Sequence, residues 1–141
     1  MKYQVSENVK SKFDALIKDE KVLKAVEFVK DDNDEIIDKQ IELTLIPAPT
    51  FHEQDKAARL LEMFKEEGLE DCHIDEYGNC VGIRKGTGGG KTTLVEGHLD
   101  TVFPMGSVKE VRQENGVLYA PGIVDDTRGL AVLLSALRGL K

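Results

Sequence analysis

Gly97-His98-Leu99-Asp100-Thr101-Val102 sets an imidazole and a carboxylate two residues apart. In extended backbone such neighbours share a face, so His98 and Asp100 point the same way. That arrangement suits a metal-ligating histidine whose ring is oriented, and made more basic, by the carboxylate beside it. It suits a hydrogen-bonded pair without a ligand equally well. Farther along, Gly122-Ile123-Val124-Asp125-Asp126-Thr127-Arg128-Gly129-Leu130-Ala131 places two acids ahead of an apolar run. An Asp there caps a helix and meets the positive end of its dipole. A carboxylate in the same place can also bridge two cations through its two oxygens, from a rigid mounting.

The elements that must hold these groups follow from the spacing of apolar residues. Residues 92–96 read as a buried strand leading into His98, with Thr93, Val95 and Leu99 on one face. Leu130, Leu133, Leu134 and Leu137 recur at i, i+3, i+4 and i+7 and predict a helix after Thr127. Upstream, Val9, Phe13, Leu16 and Ile17 form one amphipathic helix, and Ile37, Ile41, Thr44 and Leu45 a second. The acidic run 31–35 between them reads as a solvated corner or a fresh helix start. Pro47 and Pro49 keep their neighbours extended. Thr50 and Glu53 then form a capping box for a helix that buries Ala57, Leu60, Leu61 and Phe64 and stops at Gly68. Residues 72–76 and 79–83 flank Tyr77-Gly78 as a hairpin, and Leu118-Tyr119 forms another strand after the Asn115-Gly116 turn. The mixture indicates an α/β domain.

Composition removes several classes of function. The 141 residues, 40% of them hydrophobic, suffice for one domain with an ordinary core. Nineteen basic against 26 acidic residues give a net charge of −7, and no Lys/Arg cluster with interleaved aromatics is present, which excludes a nucleic-acid partner. No apolar run approaches the ~18 residues of a membrane span, and the opening residues lack the apolar core of a secretory signal, so a cytoplasmic protein is expected. Cys72 and Cys80 read as reduced structural thiols. Gly86-Thr87-Gly88-Gly89-Gly90-Lys91-Thr92 imitates a phosphate-binding loop, yet its first glycine stands one residue too close and a strand, not a helix, is expected after it. His52 and His73 have no partners at ligand spacing and read as surface or packing residues.

Taken together, Gly-His-Leu-Asp-Thr-Val and, some twenty residues on, Gly-Ile-Val-Asp-Asp-Thr-Arg-Gly-Leu-Ala resemble the superfamily of di-zinc peptidases. That superfamily includes aminoacylases, glutamate carboxypeptidases, tripeptidases, acetylornithine deacetylase and succinyl-diaminopimelate desuccinylase. The resemblance extends in outline over residues 40–141. It implies the N-terminal part of a zinc-peptidase catalytic domain over residues 1–141, a mixed sheet flanked by helices, with a helical lead-in at 1–46. It further implies that His98 binds one zinc, that Asp100 orients His98, and that Asp125 bridges two zinc ions; Asp125 takes that role over Asp126 because it stands six residues before Ala131, the spacing of the family. The Asp125–Asp126 bond is expected to be cis. Thr127 departs from the lysine that many members carry, and Arg128 keeps a positive charge close by.

Substrates implied in this way are small peptides or N-acyl amino acids, and cobalt or manganese would suit the same ligands as zinc. The family's general-base glutamate, the glutamate beside it and its remaining ligands are expected beyond Ala131, so the sequence reads as a fragment inactive by itself. The leucine stripe of the last helix is then either exposed or buried in a homo-oligomer. The rival reading is a catalytically silent binding or assembly domain with the same fold.

Overall fold

A stretch with apolar residues at helical spacing becomes a helix wherever a cap starts it and a partner covers it, and both conditions can be followed along this chain. The computed structural model describes residues 5–141. Residues 1–4, part of the expected 1–46 lead-in and of the segment read for a secretory leader, lie outside the described residues. Three helices come first: α1 (Glu7–Leu16), α2 (Glu20–Asp31) and α3 (Asn33–Leu45). After the proline segment come α4 (Gln54–Glu66), β1 (Glu70–Ile74), β2 (Cys80–Ile83), β3 (Arg112–Glu114), β4 (Val117–Tyr119) and α5 (Thr127–Gly139).

The α/β mixture is as expected. Its strands form two antiparallel hairpins, β1 with β2 and β3 with β4. The parallel element is a single bridge between Pro49 and Thr101, closed by the Thr101 amide donating to the Ala48 carbonyl at 2.8 Å.

Helix α2 was not foreseen as a separate element. Asp19 starts it, accepting from the amides of Lys21 at 2.8 Å and Val22 at 3.2 Å. The buried face of α3 is Ile36, Gln40, Leu43 and Thr44, one residue out of step with the stripe read from the sequence. Two polar side chains on that face had hidden it. The core gathers Leu43, Leu60, Met63, Phe64, Leu130 and Leu134, with Leu69, Cys72, Cys80 and Leu99 packed at its edge. Each full burial of this kind contributes about 1.5–3 kcal/mol. The leucine stripe of α5 is therefore neither exposed nor dependent on a second copy: Leu130 and Leu134 are buried, and α5 packs on α2 and α3.

Two other expectations are corrected. Residues 92–96 form no strand and are not buried; Leu94 and Val95 are exposed, because no strand among the described residues lies alongside to take up their backbone hydrogen bonds. The capping box is absent as well. Helix α4 starts at Gln54, Glu53 turns back to accept from the Phe51 amide at 2.7 Å, and Thr50 is engaged elsewhere. The expected stop is present: Gly68, at φ +75°, carries the left-handed turn in which the Leu69 amide reaches the Phe64 carbonyl at 3.0 Å.

A partly buried ion network centred on Arg138 joins the helices. Arg138 donates to Asp32 at 2.5 Å, Ser135 donates to the same oxygen at 2.6 Å, and Glu35 and Glu67 face the guanidinium. No helix among the described residues is long and apolar enough to cross a membrane.

Candidate metal centre

Leu99 is half-buried against the core, so the residues on either side of it, His98 and Asp100, are turned to the outside together. The His98 ring is fixed through Nδ1, which lies 3.0 Å from the Asp100 carbonyl and 3.1 Å from its carboxylate. Asp100 is fixed in turn: Thr50 donates its hydroxyl to Oδ2 at 2.7 Å. The bridge between Pro49 and Thr101 holds the two segments side by side so that this bond can form. With Nδ1 engaged, Nε2 is the outward nitrogen, and it lies 2.9 Å from Oδ1 of Asp125.

Asp125 reaches that place from the loop that starts α5. The Asp125–Asp126 peptide bond is cis, as expected. Asp126 caps α5 by accepting from the Gly129 amide at 3.1 Å. Room for this carboxylate comes from two glycines: a Cβ at Gly129 would lie 2.0 Å from Asp126 Oδ1, and one at Gly97 would lie 2.8 Å from its Oδ2. The two neighbouring acids thus divide the work, Asp126 turned to the helix and Asp125 turned to His98.

The electrostatics follow from these contacts. The hydrogen bond to Asp125, aided by Asp100, raises the His98 pKa above its ordinary value against a smaller cost of burial. The Thr50 hydroxyl, with His98 nearby, holds the Asp100 carboxyl below the usual carboxylate range. Lys56 is buried, and loss of hydration pushes its ammonium down while the negative charge of Asp100 opposes the shift. A mixed nitrogen and oxygen donor pair of this kind fits zinc, cobalt or manganese. Among the described residues no group of three or more His, Cys, Asp or Glu side chains is placed to hold a metal ion, so His98 and Asp125 would contribute two ligands of a larger set.

The structure thus brings His98, Asp100 and Asp125 together. His52 is exposed, and His73 is exposed with its ring against the Asp71 carbonyl at 2.7 Å; neither joins the group. The glycine-rich segment 86–90 is exposed and no helix follows it before α5. The sequence alone does not reveal the role of Thr50, whose spacing to Glu53 matches a helix cap, or of Lys56, whose charge disguises a core position one residue before Ala57. Nor does it reveal that of Gln40, the buried polar residue in the face of α3. The signal for Gln40 and Lys56 was a polar residue at an apolar register.

The sequence that carries these features is similar to that of known enzymes. Residues 94–141 match the sequence model of Peptidase family M20/M25/M40. The chain is a relative of these peptidases over that segment, which bears out the resemblance read from its motifs. It is 37% identical over 94 residues to a protein of Thermococcus kodakarensis named putative [LysW]-lysine/[LysW]-ornithine hydrolase, covering 67% of this chain and 26% of that one. It is 32% identical over 89 residues to the succinyl-diaminopimelate desuccinylase of Corynebacterium glutamicum, covering 63% and 24%. Over 65 residues it is 45% identical to carboxypeptidase G2 of Pseudomonas sp., covering 45% and 15%. The chain spans about a quarter of the length of the first two relatives.

Proposed function

We propose that residues 1–141, with their helical lead-in 1–46, are the N-terminal part of the catalytic unit of a cytoplasmic metal-dependent hydrolase that cleaves amide bonds of small peptides or N-acyl amino acids. The contact that carries this reading is His98 Nε2 to Asp125 Oδ1, 2.9 Å, with the other ring nitrogen already held by Asp100. The relatives, named as hydrolases, a desuccinylase and a carboxypeptidase, support the reaction class.

In this reading His98, through Nε2, and Asp125, through its carboxylate, would be the residues of this chain that hold the zinc ions. When bound, such a pair of ions supplies a water of lowered pKa and polarises the scissile carbonyl. Asp100 keeps the His98 ring in one orientation, with the proton on Nδ1 and the lone pair of Nε2 directed outward. Thr50 keeps Asp100 ionised and immobile. Lys56 places a positive charge behind Asp100, which offsets the concentration of acids at the site.

Zinc titrated into the histidine-labelled chain is the direct test. The ring signals of His98 should move while those of His52 and His73 stay, and His98→Ala and Asp125→Asn should each weaken binding. Zinc that leaves His98 undisturbed would refute the metal assignment. Hydrolysis of a dipeptide, tripeptide and N-acyl amino acid panel, by the chain joined to whatever sequence follows it in its gene, tests the reaction; failure on every amide would sink it.

A further inference from the structure

The side chain of Asp125 is 88% exposed, and its hydrogen bond among the described residues is to His98. Packing of its own cannot aim it. Its direction must come from the segment that carries it, and one buried amide grips that segment at the backbone of Ile123 before it and at the side chain of Arg128 after it. Gln40, in α3 and 4% exposed, donates from Nε2 to the Ile123 carbonyl at 2.6 Å. Its Oε1 accepts from Nη1 of Arg128 at 3.0 Å. Ile123 stands two residues before Asp125 and Arg128 three after it.

The chemistry of the two contacts is opposite. A backbone carbonyl requires a donor, a guanidinium requires an acceptor, and a carboxamide is the side chain of this length that offers one of each. The geometry also fixes which end of the amide is which, since the reversed orientation would set oxygen against oxygen and NH2 against a cation. Gln40 is itself anchored in its helix, where its carbonyl accepts from Thr44 Oγ1 at 2.7 Å. Ile123 is buried as well, so a loop freed from Gln40 leaves a carbonyl with little access to water.

We propose that Gln40 is a positioning residue that aims Asp125 at His98 by clamping the loop on both sides of it, an inference that rests on the reading of these two residues as metal ligands. Arg128 then acts as the second jaw of the clamp, its charge directed at Gln40. This role differs from generic packing, because it predicts changes at His98, which Gln40 does not contact.

The test uses the 141-residue chain labelled with 15N-histidine, at one fixed pH, as wild type, Gln40→Met and Gln40→Glu. Met has a similar length and offers neither bond; Glu keeps the acceptor for Arg128 and loses the donor to Ile123. In both variants the Nε2 signal of His98 should move toward its position in Asp125→Asn, while the His52 and His73 signals stay. The zinc concentration that half-shifts His98 should rise about 10- to 100-fold, the usual effect of losing a group that orients a ligand. A folded variant whose His98 signals and zinc midpoint match the wild type overturns the proposal. A lowered urea midpoint with unmoved His98 signals also overturns it, since that is the mark of packing alone. If zinc leaves the wild-type ring unmoved but Gln40→Met still shifts it, the ligand reading fails and the clamp stands.

Discussion

Nε2 of His98 lies 2.9 Å from Oδ1 of Asp125, across a sequence separation of 27 that contains the whole β3–β4 hairpin. Neither residue is held there by burial. Each is aimed by a partner: His98 by Asp100, and Asp125 by its backbone.

In the metal-free chain His98 should therefore titrate above the ordinary histidine value, with Asp125 as the main cause. A raised folded-state value means that the contact stabilises the fold fully below pH 6.5, the unfolded value, and that this contribution is lost as pH rises through the folded value. The energy is small, because both side chains are largely exposed and water screens them. An NMR pH titration should place Asp125→Asn below the wild type. Zinc competes with the proton for Nε2, so zinc affinity should rise over the same window; affinity independent of pH would contradict the assignment.

Thr50→Val removes the hydroxyl that Asp100 accepts at 2.7 Å. The Asp100 carboxyl, now held low chiefly by that bond, should titrate higher. A depressed folded-state value gives stability that is present above the ordinary 3.8 and lost as pH falls through the folded value, and the valine variant should lose part of it. Carbon-13 carboxyl shifts read the change, and an Asp100 midpoint equal to the wild type would show that Thr50 is idle.

Asp32→Ala should be among the costly substitutions far from the site. It leaves Arg138, 11% exposed, without its closest carboxylate, and Arg138 Nε is buried and already without a partner. Breaking a buried pair on one side costs about 3 kcal/mol at the lower end of its range, and Glu35 and Glu67 keep this case there. Urea denaturation should show a lower midpoint at unchanged slope. A shift under about 0.5 kcal/mol, the scale of a surface substitution, would mean the network is not buried in solution.

Burial pushes the Cys80 thiol up to about 11 from 9.0. Its contribution to stability is whole below pH 9.0 and lost as pH rises to about 11, where the unfolded chain ionises first. In Cys72→Ser, alkylation of the remaining thiol at pH 8 should be far slower than in the unfolded chain. Equal rates would place Cys80 on the surface.

Much of the site was legible in one dimension. His98 and Asp100 are two residues apart, and Asp125 and Asp126 precede an apolar run, so local spacing alone marks them as candidates. Much of the buried faces of α4 and α5 was also legible, because period and burial agree at Ala57, Leu60 and Phe64 and at Leu130 and Leu134. What only tertiary structure decided is which polar residues leave their local role. Thr50 matches a capping pattern, yet its hydroxyl goes to Asp100, fifty residues away, because the Pro49–Thr101 bridge brings the segments together. Gln40 and Lys56 break an apolar stripe in sequence and still lie inside, Gln40 bonded to Ile123 and Arg128 and Lys56 within reach of the charge of Asp100. Residues 92–96 carry a strand's composition without a neighbouring strand. Spacing along a chain specifies which side chains share a face; what that face meets depends on contacts between distant segments, and these set the roles of Thr50, Gln40 and Lys56.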